Sequence, residues 1–193
     1  MKDLVFATHN KKKAEEVRAL LADQYNILTL DDIGCLDDIP ETGSSFAENA
    51  SLKSGYVASN FKMDCFADDS GLEVEALNNE PGIYSARYSG GDDVANYNLV
   101  LDKLKGKEDR RARFRTVISL LQGGNEYFFE GELPGVIRET PIGSNGFGYD
   151  PVFQPDGYEI SLAEMTMEQK NSISHRAMAM KKLINFLKEQ SKA

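Results

Sequence analysis

Asp68 and Asp69 stand side by side after the short apolar run Cys65-Phe66-Ala67 and are followed by Ser70-Gly71. Two adjacent carboxylates leaving an apolar segment can meet a hard cation or a water, because strand ends are where α/β proteins expose polar groups. Taken alone, the same residues favour a plainer reading as a polar turn or helix cap. A second group, Lys11-Lys12-Lys13, follows Thr8-His9-Asn10. Cations in a first helical turn oppose the macrodipole, so helix stability does not explain them; an anion met by lysines and free backbone N–H groups does. The competing reading is a solvated charge run.

Further residues extend the pattern. Glu41 precedes a helix cap and can reach a metal, whereas Glu48 has the spacing to serve the cap of Ser45. Lys53, two turns into that helix, reads either as a phosphate contact or as a lysine snorkelling to the surface. Gly146-Phe147-Gly148-Tyr149-Asp150 is a glycine-dense segment with two aromatic rings and one carboxylate. Glycine lets backbone approach a flat ligand, and an aromatic face stacks on a nucleobase. Lys170 and the pair His175-Arg176 add donors near the last helix, where a capped, solvent-facing pair is the plainer alternative. Together these residues suit metal-dependent phosphate chemistry on a nucleotide, with cations for phosphate charge, carboxylates for a hard metal and a pocket for a base. They do not select which phosphorus is attacked.

The elements that must hold these residues follow from periodicity. Leu4 to Ala7 reads as a buried strand, followed by a helix capped by Asn10 with Ala14, Val17 and Leu21 inward and Leu20 beside them. A second helix starts at Ser45 and runs to about Asn60, burying Phe46, Ala50, Val57 and Phe61. Cys65 to Ala67 is expected as a strand delivering Asp68 and Asp69 into a turn, with a separate strand from Leu72 to Ala76. If both aspartates stay extended, they point to opposite faces. A third helix begins at Asp92 or Asp93, packs Val94, Tyr97, Leu101 and Leu104, and stops near Gly106. Alternation from Arg113 to Leu120, the Gly123-Gly124 pair and Glu126 to Gly131 give a hairpin, with a further strand around Glu132 to Arg138. A last helix buries Met180, Leu183, Ile184 and Leu187.

The 193 residues suit a single domain, with no linker or repeat. A net charge of −9 removes the broad basic footprint that nucleic acid requires. Two cysteines, Cys35 and Cys65, are too few for a disulfide scaffold and are expected as buried thiols in a reducing cytoplasm. The first residues do not read as a signal peptide, and no segment reaches the roughly 20 apolar residues of a membrane span.

Six stretches, in order, resemble the non-canonical purine nucleoside-triphosphate pyrophosphatases, the inosine triphosphate or dITP/XTP pyrophosphatase family. They are residues 7–13; 41–43 with 48–50; 67–72; Pro81-Gly82 with 84–87; 146–151; and Ala163-Glu164-Met165 with Ser174-His175-Arg176. Ser45 stands where threonine is common, and His9 and Lys12 occupy variable positions. The resemblance implies an elongated, two-lobed α/β fold with a long mixed central sheet flanked by helices and a substrate groove between the lobes, usually as a homodimer. It implies Mg²⁺-dependent hydrolysis of ITP, dITP or XTP to the monophosphate and pyrophosphate. By the same resemblance, Thr8, Asn10 and Lys13, with His9, Lys11 and Lys12 around them, are phosphate-binding, and Lys53 is a further contact. Glu41 and Asp69 match the metal positions, Asp69 also the general base, and Ser70 matches a substrate contact; because a metal lowers the basicity of a ligand carboxylate, Asp68 is kept as an alternative second acid. Phe147, Gly148, Tyr149 and Asp150 match the base loop, and Lys170, His175 and Arg176 the residues that hold the base and its 6-oxo group. Donors there would reject adenine by being left unpaired, whereas exclusion of GTP must act at the 2-position. A pyrophosphatase for other nucleotides and a nucleotide sensor with a dead site are the competing readings; gathered acids beside phosphate-facing cations argue against the sensor.

Overall fold

The computed structural model describes residues 1–21 and 25–190, apart from the side chains of Lys12, Glu16 and Leu20. Its strands are β1 (Lys2–Phe6), β2 (Tyr25–Thr29), β3 (Cys65–Val74), β4 (Glu80–Pro81), β5 (Arg111–Gln122), β6 (Asn125–Ile137) and β7 (Phe153–Pro155). Its α-helices are α1 (Lys11–Leu21), α2 (Phe46–Phe61), α3 (Asp93–Lys103), α4 (Met167–Ile173) and α5 (His175–Gln190). The strands form one sheet in the order β2-β1-β3-β5-β6-β7, with β4 added on β3. The sheet is mixed: β1 is parallel to β2 and β3, whereas β4 runs antiparallel to β3 and β7 to β6.

The chain divides into two compact units, and β3, β5, β6 and α5 each contribute to both. The first comprises residues 1–69, 117–130 and 179–193. There the strand alternation is explicit. Leu4, Phe6 and Phe66 pack with Val17 and Leu21 of α1 and Met180, Leu183 and Leu187 of α5. Val5, Ala7, Cys65 and Ala67 point the other way, toward Val57 of α2 with Cys35 and Ile39. Each face of the strands thus has its own helix cover, and Phe6 and Phe66 stack at 4.6 Å across β1 and β3. Both cysteines are buried and unbridged, and burial pushes the Cys65 thiol up to about 12, which keeps it protonated and inert.

The second unit comprises residues 70–116 and 131–178. Leu72 and Val74 of β3, Phe114 of β5, Leu133 and Ile137 of β6 and Phe153 of β7 surround Val100 and Leu104 near the end of α3. The third helix differs from its expected stripe, because Val94 is exposed and Asn96 is buried instead. The Asn96 side chain accepts from the Ser89 N–H and hydroxyl and donates to the Ala86 carbonyl, so a polar position is satisfied inside.

Two further expectations change. Residues 68–71 form no turn: β3 runs unbroken through them, because neighbouring side chains and strands satisfy their polar groups. The segments from Glu126 to Gly131 and from Glu132 to Ile137 are likewise one strand, β6, joined to β5 through Gly123 and Gly124, both at positive φ as a two-residue hairpin loop requires.

Candidate active site

The turn entering α1 is built by its own short side chains. Thr8 Oγ1 accepts from the Asn10 N–H at 3.0 Å, and Asn10 Oδ1 accepts from the Lys13 N–H at 3.1 Å, capping the helix. This aims Lys13 across the strand ends, where its Nζ donates to both oxygens of Asp68, at 3.1 and 2.9 Å. The pair is well shielded, with 19% of the lysine side chain and 3% of the aspartate exposed.

The lysine run therefore divides. Lys13 serves Asp68, whereas Lys11 and His9 line a cavity of about 300 Å³ together with Thr8, Asn10, Arg18, Asp31 and Asp32. His9 is engaged there, Nδ1 on Asp31 Oδ1 at 2.8 Å and Nε2 on the Asp37 carbonyl oxygen at 3.1 Å. The Lys12 side chain lies outside the described residues.

Asp69, the next residue of β3, takes the opposite face, and Asn49 of α2 donates to its Oδ2 at 3.0 Å. Alternation along an extended strand is the reason one aspartate serves α1 and the other α2. Lys53, one turn further along α2, donates to Glu41 Oε1 at 2.5 Å and to the Asp68 carbonyl oxygen at 2.7 Å. Only 13% of its side chain is exposed, so it is no snorkelling lysine. Burial alone would push the Lys53 pKa down, but Asp68, Asp69 and Glu41 act together to raise it. For Asp69 burial is the leading effect and raises the pKa; Lys53 and the Asn49 amide pull it down, and Glu41 and Asp68 push it up again. The capping expectation for α2 holds, since Ser45 Oγ accepts from the Glu48 N–H. The Glu48 carboxylate turns back to the N–H and hydroxyl of Ser44, leaving Glu41 as the acid directed at Lys53.

Among the described residues, no group of three or more His, Cys, Asp or Glu side chains is arranged to hold a metal ion. The donor chemistry nevertheless fits Mg²⁺. That ion is ordinarily held by one or two carboxylates completed by substrate phosphate and water, and three carboxylates here act on a single lysine.

In the second unit, Ser70 Oγ lies 2.7 Å from Thr116 Oγ1. The 146–151 loop is locked by Asp150, which is buried and accepts from the Phe147 N–H at 3.0 Å and from Lys170 Nζ at 2.5 Å. Burial raises the Asp150 pKa, opposed by Lys170, the Phe147 N–H and Arg176. Gly146 sits at φ 78°, and a Cβ there would collide with Asp150 Oδ2, so glycine is required by both backbone and space. Phe147 is 36% exposed, with Lys170 Nζ 4.5 Å and the Arg176 guanidinium 5.9 Å from its ring centroid.

The two aromatic rings of the loop have different tasks. Tyr149 is buried in the core and its hydroxyl donates to the Ser85 carbonyl at 2.7 Å, while the Gly148 N–H donates to Asp93. His175 and Arg176 are buried, not solvent-facing, and the His175 ring stacks on Phe114 at 4.9 Å. Ser174 caps α5 by accepting from the Ala177 N–H, which fixes the pair in its first turn. Phe147, Asp150, Lys170 and Arg176 thus form one cluster, with His175 beside Arg176 in the chain and stacked on Phe114, and Thr8, Asn10, Lys13, Glu41, Lys53, Asp68 and Asp69 form another.

Asn49 lies in the 48–50 stretch of the resemblance, but its sequence position suggested no role for it. A polar residue in a helix's first turn looks like an exposed position, and only its complete burial reveals otherwise.

The Ham1 family model matches residues 4–186. A dITP/XTP pyrophosphatase of Christiangramia forsetii is 48% identical over 186 residues, covering 95% of this chain and 98% of that protein. Another dITP/XTP pyrophosphatase, from Bacillus subtilis, is 45% identical over 193 residues, covering 97% and 98%. The Ham1 protein of Staphylococcus aureus superposes with a TM-score of 0.92 at 42% identity, covering 98% of this chain and all of that one.

Proposed function

Because this chain belongs to the Ham1 family, we propose that it hydrolyses ITP, dITP and XTP at the α-phosphorus, giving the nucleoside monophosphate and pyrophosphate. It thereby removes deaminated purines from the nucleotide pool. The observation that carries the proposal is the convergence of Asp68, Asp69 and Glu41 on Lys53 beside the lysine-headed α1, an arrangement of acids and cations that phosphate chemistry needs.

Glu41 and Asp69 would hold Mg²⁺; when bound, the ion supplies charge neutralisation for the triphosphate. Lys13 and Lys53 bind phosphate oxygens by exchanging their present carboxylate and carbonyl partners for the ligand's. Thr8 and Asn10 hold the turn that aims Lys13. Asp69, held by the Asn49 amide, takes the proton from the attacking water. The new bond forms from water oxygen to the α-phosphorus, and the α–β bridging oxygen leaves with its electron pair as pyrophosphate.

Phe147 stacks on the base, its backbone held by Asp150 and its ring near Lys170 and Arg176. His175 and Arg176 donate to the 6-oxo group of hypoxanthine or xanthine. Adenine offers an amino group at that position, so buried donors would be left unpaired. Ser70, adjacent to Asp69 in β3, is a further substrate contact, and Gly148 and Tyr149 shape the loop. The single domain acts in the cytoplasm as a homodimer.

The test is Asp69→Asn, which keeps the shape and removes the basic oxygen. Turnover of ITP is expected to fall by at least about 100-fold, the low end of what a positioned base contributes, with ITP affinity retained. Wild-type turnover would sink the assignment.

A further inference from the structure

Asn49 is fully buried in the first turn of α2, although asparagine is a poor helix former. Its amide is used at both ends. Oδ1 accepts from the Gly43 N–H at 2.8 Å, and Nδ2 donates to Asp69 Oδ2 at 3.0 Å. The Gly43 N–H is a donor only, so the oxygen must face it and the NH₂ must face the carboxylate. A second feature ties the same place together. A Cβ on Gly43 would fall 2.6 Å from Glu48 Cβ and 2.8 Å from Asn49 Oδ1, so the chain before α2 lies directly on the helix and only glycine permits it. Two residues before Gly43 stands Glu41, whose carboxylate reaches Lys53.

We propose that Asn49 is a positioning residue that fixes the orientation of Asp69 and its spacing from Glu41 by bonding simultaneously to β3 and to the segment entering α2. The inference rests on the reading of Asp69 and Glu41 given above and deepens it. Gly43 is a near neighbour, six residues before Asn49, whereas Asp69 lies 20 residues away on β3. One amide therefore ties β3 to the segment entering α2, and its loss removes both bonds. Outer partners of metal-binding carboxylates commonly matter by about 10- to 100-fold in metal affinity or activity.

The decisive variant is Asn49→Asp, which has the same shape and still accepts from Gly43 but replaces the amide donor by a second carboxylate facing Asp69. With ITP and Mg²⁺, kcat is expected to fall by about 10- to 100-fold, with KM within about threefold, because the phosphate lysines and the base cluster are untouched. Asn49→Ala, which loses both bonds, is expected to weaken Mn²⁺ binding by at least about 10-fold, read by electron paramagnetic resonance without nucleotide. Gly43→Ala should reproduce the loss of Mn²⁺ binding of Asn49→Ala, and combining them should add little, as members of one unit are not additive. If Asn49→Asp keeps wild-type kcat, Asn49 serves only the Gly43 contact and the inference fails. Asp69→Asn separates this from failure of the functional reading. An inactive Asp69→Asn with a normal Asn49→Asp overturns this inference alone, whereas an active Asp69→Asn overturns the reading on which it rests.

Discussion

Replacing Lys53 by Met removes an ammonium from among three acids while keeping most of the side-chain volume. Its Nζ is 2.5 Å from Glu41 Oε1 and 2.7 Å from the Asp68 carbonyl oxygen, with 13% of the side chain exposed. Removing one partner of a buried ion pair costs about 3–5 kcal/mol, since the other charge is left uncompensated. Glu41 is 29% exposed, so water takes back part of that cost, and a loss of about 2–3 kcal/mol is expected. For a chain of this size that is a fall in Tm of roughly 4–12 °C. The assay is thermal and urea unfolding of wild type and Lys53→Met, with and without Mg²⁺. Because the acids lose their internal countercharge, Mg²⁺ should raise the Tm of the variant more than that of the wild type, and Lys53→Met with Glu41→Gln should recover part of the loss. A Tm within about 1 °C of wild type, together with an unchanged response to Mg²⁺, would refute the electrostatic reasoning.

Other perturbations probe other parts of the account. Phe147→Leu removes the stacking face, worth about 1–3 kcal/mol per base, so KM for ITP should rise roughly 5- to 150-fold; an unchanged KM places the base elsewhere. Gly146→Ala forces a side chain into a left-handed backbone conformation and against Asp150, so about 1–2 kcal/mol of stability should be lost from the backbone alone, measurable by urea unfolding. His9 needs both ring N–H groups to bond Asp31 and the Asp37 carbonyl, and the Asp37 hydrogen bond, then Asp31, raises its pKa from 6.5. A raised pKa in the folded state means the stabilisation is complete below the ordinary imidazole value and is lost as pH rises through the folded value. The Tm difference between wild type and His9→Ala should therefore be largest below about pH 6.5 and shrink above it. A pH-independent difference would contradict the imidazolium assignment.

What the sequence revealed, and what it concealed, follows from the range of the forces involved. The cap of α1 by Asn10, the Ser45 cap of α2 and the packed sides of α1 and α5 were legible because caps and helical stripes are set by residues a few positions apart. Residues 68–71 were misread as a turn because their composition is that of turns; Lys13, Asn49 and Thr116, each remote in sequence, let a strand absorb them. The opposite facing of Asp68 and Asp69 followed from extended geometry alone, but which helix each would meet did not. His175 and Arg176 illustrate the same limit, since a basic pair at a helix start looks solvated until Phe114 and the neighbouring core enclose it. Lys11 and Lys13 looked alike in the run and differ in role because helical rotation sends them to different surroundings.

The central claim is selective pyrophosphohydrolysis of 6-oxo purine nucleotides, and it is tested most directly by pyrophosphate release from ITP, dITP, XTP, ATP and GTP with and without Mg²⁺. Release from ITP, dITP and XTP, dependent on Mg²⁺ and at least about 100-fold more efficient in kcat/KM than from ATP, is the predicted result, with GTP also a poor substrate. Equal release from all five, or release of orthophosphate instead of pyrophosphate, would contradict it.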